Sequence, residues 1–168
     1  VSNERVAQLN RELNIAKARN ASLSETRKIE DEILAERTKA HNKSVGFYGQ
    51  ELNDLEANRA KLKQLNDMLL QLNNAKARGD KKVYIDVDLD GKIDKVKVDE
   101  AIEAVQGQID NTGRAVDIAV NLKTEGADLD AERKIQAAQR ANENRNAAKA
   151  ETDILRKAED ARIALIKN

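Results

Sequence analysis

Four aspartates within nine residues are the part of this chain best suited to chemistry. In Asp86-Val87-Asp88-Leu89-Asp90-Gly91-Lys92-Ile93-Asp94, carboxylates stand at positions 1, 3, 5 and 9, with glycine at 6 and isoleucine at 8. This spacing matches the opening of a calcium-binding loop, in which hard oxygen ligands converge on the ion at roughly 2.3–2.6 Å. The match ends at position 12, where a bidentate glutamate is expected and Lys97 stands instead. Asp99 or Glu100 would have to replace it. Calcium held by Asp86, Asp88, Asp90 and Asp94 is therefore one reading. The other needs no ion. Alternation puts Asp86 and Asp88 on one face of a strand and makes Asp90-Gly91 a two-residue turn. A calcium loop bends through these residues, whereas a hairpin extends through them.

Other reactive residue types offer less. His41 is the sole histidine, with no second His or Cys to share a metal, and reads as a solvent-facing helix residue. Cysteine is absent, which removes disulfides, thiolate nucleophiles and zinc–thiolate sites. No glycine-rich phosphate loop follows a strand. Thirty Lys and Arg cancel thirty Asp and Glu. The two signs interleave, so no basic stripe favours nucleic acid or an anionic membrane surface. The carboxylates sit on solvated helix faces with no environment suited to acid–base work. These residues point away from an enzyme and from any bound cofactor other than calcium.

The elements that must position the aspartates follow from periodicity. Residues 82–89 and 92–98 alternate apolar and polar around Asp90-Gly91, which predicts a β-hairpin over about 82–98. In the expected register Val83 faces Val98, Ile85 faces Val96, Tyr84 faces Lys97 and Asp86 faces Lys95. On either side the period is helical. Leu62, Leu65, Leu69 and Leu72 recur at spacings of 3 and 4 in a first arm over about 2–79, and Gly79-Asp80 ends it. Asp99 reads as the N-cap of a second arm over about 99–168, which carries Ile102, Val105, Ile109 and Thr112 at helical spacing. Ser22-Leu23-Ser24-Glu25 fits a capping box. Breaks are expected near 46–49, where Gly46 and Gly49 flank Phe47 and Tyr48, and near 124–128, around Gly126. The aromatic pair reads as a plug for the helix irregularity.

Two architectures accommodate this layout. One is a mainly α, long antiparallel helical hairpin, a coiled-coil-like rod with a small β-hairpin at or near its tip. The other folds at the breaks into a compact four-helix bundle. Proline is absent and aromatics make up only 2% of the chain. Long helices are thus uninterrupted while bulk for a four-way core is scarce, which favours the rod. No apolar run reaches the length of a membrane span. The start lacks an initiator methionine and the end stops within an apolar helical pattern, so the 168 residues are expected to be one elongated module of a larger protein.

Such a rod displays its tip. Tyr84, Asp86, Asp88, Leu89, Asp90 and Lys92 are the expected partner-binding residues there. The layout resembles the central receptor-binding region of colicin-type bacteriocins. The resemblance rests on the Asn-, Ala- and Lys-rich helical segments, such as Glu51–Asn58 and Ala137–Asn144, and on the interruption Gly79-Asp80-Lys81-Lys82-Val83-Tyr84. It implies a monomeric, secreted antimicrobial toxin whose central module binds a protein receptor in the outer membrane of a target bacterium. It also implies that the killing activity lies elsewhere in the protein. A structural coiled-coil spacer, or an oligomerisation segment of a bacterial surface or secretion protein joined through the Leu62–Leu72 seam, is the alternative.

Overall fold

Helix-forming residues dominate, and the computed structural model, which describes residues 2–167, is mainly helical with one two-stranded antiparallel sheet. Its elements are α1 (Ser2–Ala18), α2 (Leu23–Phe47), α3 (Gly49–Asn53), α4 (Leu55–Ala77), β1 (Lys82–Ile85), β2 (Asp94–Lys97) and α5 (Val98–Lys167).

Local chemistry explains most of the boundaries. After α4, Gly79 adopts φ +84°; its N–H donates to the Lys76 carbonyl and the Asp80 N–H to that of Ala75, both at 3.0 Å. This is the Schellman ending, for which glycine is the least strained residue. α1 ends the same way on Asn20, at φ 54°, with the Ala21 N–H donating to Ala16 O at 2.9 Å. Asparagine tolerates the left-handed region better than most side chains. Ser22 then caps α2, its Oγ accepting from the Glu25 N–H at 3.2 Å. The Glu25 carboxylate pairs with Arg19 rather than closing the box on Ser22.

These two signals turn the chain, so the first arm is not one helix over 2–79. α1 doubles back along α2, with Arg5 Nη2 3.2 Å from Glu32 Oε2 and with Leu9 and Ala16 buried. The interruption expected near 46–49 is present but shallow. Tyr48 and Asp54 leave helical geometry, yet Tyr48 N–H still reaches Ser44 O and Asn58 N–H still reaches Asp54 O, at 2.8 and 2.7 Å. Phe47 is no plug. It is 79% exposed and meets Tyr48 edge-on, with ring centroids 4.8 Å apart.

The break expected near 124–128 does not occur. α5 runs through it as one helix of 70 residues, about 105 Å at the standard rise. A four-helix bundle folded at that point is therefore ruled out. Gly126 serves a different purpose. A Cβ built there would lie 3.0 Å from His41 Nε2. The glycine lets α2 approach α5 closely, and the imidazole fills the space. His41 is accordingly not solvent-facing. Its side chain is 13% exposed and Nδ1 lies 3.4 Å from Glu125 Oε1.

The second start also differs from expectation. The helix begins at Val98, one residue before Asp99. Val98 is buried and its N–H donates to Lys81 O at 3.0 Å. Asp99 sits in the first turn, 3.2 Å from Lys76 Nζ. The densest core lies just beyond, where Leu65, Met68 and Leu72 of α4 meet Ala101 and Val105 of α5. Farther along, α2 and α5 are joined by charge instead of bulk: Arg27 with Glu143, Asp31 with Arg140, Arg37 with Glu132. Two carboxylates, Asp31 and Glu30, flank the Arg140 guanidinium. Desolvation acts to lower its pKa, but these two hydrogen-bonded carboxylates outweigh that and raise it.

The Gly126–His41 contact sets a test. Alanine in a helix interior is favoured over glycine by roughly 1 kcal/mol. Gly126→Ala should gain less than this in the native background, because its methyl presses on the imidazole. In a His41→Ala background the full gain should return. Thermal melts of the four proteins should show a coupling of about 0.5–1 kcal/mol. Equal gains in both backgrounds would contradict the close-approach role.

Candidate functional site at the β-hairpin

The strand pair forms where alternation predicts, but in a different register. Val83 pairs with Val96, Tyr84 with Lys95 and Ile85 with Asp94, two residues away from the register an Asp90-Gly91 turn requires. A shift of two preserves the faces. Val83, Ile85 and Val96 still turn inward, onto the α4–α5 core. The pairings of Asp86 with Lys95 and of Tyr84 with Lys97 are lost.

The cause is the loop, residues 86–93. A two-residue turn would leave Val87 opposite Asp94. Instead the chain bends, with positive φ at Leu89 (56°) and Gly91 (86°). The bend brings Val87 and Leu89 onto the same core as Leu65, Met68 and Val105. Burial of these apolar side chains offsets the cost of a left-handed leucine. Gln108 of α5 fixes the loop, its Nε2 donating to Val87 O at 2.7 Å.

Asp86 organises the bend. Its Oδ2 accepts from the Gly91 N–H at 2.8 Å and its Oδ1 from the Asp90 N–H at 3.1 Å. Asp90 Oδ1 in turn accepts from the Lys92 N–H at 2.8 Å. Partial desolvation pushes the Asp86 carboxyl up. The hydrogen bonds from the Gly91 and Asp90 backbone outweigh it and hold the group below its ordinary value. The segment thus bends, as the calcium reading requires, and the Asp86 and Asp90 carboxylates accept backbone N–H groups within it. Among the described residues no three His, Cys, Asp or Glu side chains are placed together to hold a metal ion.

The expected contact residues separate into two kinds. Tyr84 is 72% exposed, and Asp88, Asp90 and Lys92 are exposed with it. Leu89 is half-buried on the core and Asp86 is half-buried as the loop's acceptor, so both support the loop rather than present a free surface. Ile93, 70% exposed, is a contact candidate the sequence reading passed over. The signal was there, since strict alternation puts Ile93 on the side of Tyr84 and Lys95. The outward face of the sheet thus carries Tyr84 among Lys82, Lys95 and Lys97, and the exposed Ile93 stands in the loop immediately before β2. Lys95 Nζ lies 5.7 Å from the Tyr84 ring centroid, a cation–π distance. In comparisons with known proteins, the chain matches no family model, no curated protein and no solved structure.

The Asp86 acceptor role has a pH signature. A carboxylate with a lowered folded pKa supports the fold above its unfolded value, and that support is lost as pH falls through the folded value. The loop should therefore stay intact down through pH 3.8, the ordinary value, and loosen only below it. The Gly91 and Asp90 amide shifts, followed by NMR, should titrate with a midpoint under 3.8. Asp86→Asn should abolish that transition. A midpoint at or above the ordinary value would contradict the assignment.

Proposed function

We propose that this chain is a non-enzymatic display module, the receptor-binding region of a colicin-like bacteriocin. In this reading α2, α3 and α4 form one arm and α5 the other, antiparallel in a long rod that presents the β-hairpin to a protein in the outer membrane of a target bacterium. The parent toxin would be secreted, and the module would act as a monomer. One observation carries the reading. At the point where the chain reverses between α4 and α5, an exposed aromatic on the sheet and an exposed isoleucine in the adjoining loop stand over a dense core. Large exposed apolar groups on a rigid support are the usual anchors of protein interfaces.

The spacer or oligomerisation reading is kept because α5 leaves Ile154, Leu155 and Leu165 exposed near its end. The Leu62–Leu72 seam on which that reading first rested is less available, since Leu65 and Leu72 are buried within the chain itself.

Fluorescently labelled protein on intact Gram-negative cells tests the display reading. Saturable binding is expected on at least one susceptible strain. Tyr84→Ala with Ile93→Ala should weaken competition by roughly tenfold or more, the loss typical of an interface anchor, while leaving the thermal melt unchanged. Equal competition by the double variant would overturn the tip as the contact surface. Small-angle scattering tests the rod. A radius of gyration of about 30 Å is expected for a rod of the length of α5, against about 15 Å for a compact domain of this size.

A further inference from the structure

We propose that α1 has two seats. In the structure it lies back along α2. The second seat is the exposed apolar stripe on the last twenty or so residues of α5, with α1 then continuing α2 as one straight helix.

The first observation is that, among the described residues, nothing packs on the end of α5. From residue 141 onward nearly every position is exposed, including Ile154, Leu155, Leu165 and Ile166. The second is the register of the neighbouring interface. Arg27 lies on Glu143, Asp31 on Arg140, Arg37 on Glu132 and Thr38 on Arg133. As the numbers climb in α2 they fall in α5 by nearly the same amount. Carried past Ser22 in that register, Ala16 comes opposite Ile154, Leu13 opposite Ala158, Leu9 opposite Ala161 and Val6 opposite Leu165. The four residues of the α1 apolar stripe thus meet Ile154, Ala158, Ala161 and Leu165, all exposed on one side of α5.

Charge follows the same register. Arg19 would face Glu151, Lys17 Asp153, Glu12 Lys157 and Arg11 Glu159. Each is an opposite-sign pair of the kind that already joins α2 to α5. A second copy of the chain has no such register fixed for it, whereas α1 ends only nine residues before Arg27, where the existing interface begins.

The third observation is that the present seat is incompletely filled and its turn is held by few interactions. A groove of about 290 Å³ remains between α1, α2 and α5, lined by Leu13, Ile33, Leu34 and Ile135 among others. The turn rests on Asn20 at φ 54° and on the single Ser22 cap. Asn20 and Ser22 are both exposed, so nothing packed against them opposes helical geometry. Leu9 and Ala16, buried now, would be covered again in the second seat. The exchange lengthens the α2-side arm to match the full length of α5. It is independent of what the β-hairpin binds.

The chain has no cysteine, so spin labels can be placed at will. Gln8→Cys and Arg162→Cys are both at exposed positions. By helical rise, the labels should be roughly 35 Å apart in the present seat and within about 15 Å in the second. Pulsed dipolar spectroscopy should show a short-distance population that grows at least threefold when Asn20→Ala and Ser22→Ala replace the turn with helix formers. Adding Ile154→Lys and Leu165→Lys to that variant should abolish it, with helicity by circular dichroism retained. Only the long distance in the hinge variant would overturn the proposal. So would a short distance that disappears on mixing with excess unlabelled protein, because a second copy would then be the occupant of the stripe.

Discussion

α5 is the element against which everything else is placed, and its length is possible because nothing in it forbids helix. Without proline, and with glycines that lie either in open space or beneath His41, a helix of 70 residues has no forced kink. A helix this long cannot bury itself. Each stretch needs a separate cover, and the chain supplies different ones along the way. The β-hairpin and α4 cover the first part, α3 and the upper half of α2 the middle, and the charged face of α2 the part around Arg140.

Apolar bulk is distributed accordingly. Leucine, methionine and valine gather where α4, α5 and the sheet converge, and there a core of the ordinary kind forms. At about 25 cal/mol per Å², the alanine-rich stretch of α5 has little to gain from burial. Arginine pairs take over there, with Arg140 between Asp31 and Glu30. Exposed ion pairs contribute little to stability individually. Their value here is directional, since they fix which turn of α2 lies beside which turn of α5. The gradient runs from a densely packed end at the hairpin to a loosely covered end at residues 141–167.

The Asp-rich loop illustrates how one motif is resolved by its surroundings. Its sequence supports both an extended hairpin and a bent ion-binding loop. The structure takes the bend without gathering the carboxylates, because Val87 and Leu89 reach the α4–α5 core only if the chain curls back. Asp86 then serves the backbone of Asp90 and Gly91. The exposed face left over, with Tyr84 and Ile93, is a by-product of the inward face being filled.

Local signals were legible in the amino-acid sequence. The Gly79 helix stop, the Ser22 cap, the irregularity at 46–49, and the position and facing of both strands follow from residues within a turn or two of one another. Tyr84 as an outward residue was legible for the same reason. Four features were not: the passage of α5 through Gly126, the burial of His41, the two-residue shift of strand register, and the return of α1 along α2. Each depends on partners distant in sequence. Gly126 reads as a helix stop until His41, from another helix, lies over it. Asp90-Gly91 reads as a tight turn until a core lies within reach of Leu89. The sequence by itself determined which segments are helix and strand and which faces are apolar. Only the tertiary structure decided which apolar face met which, since burial is a property of pairs of surfaces and not of either one alone.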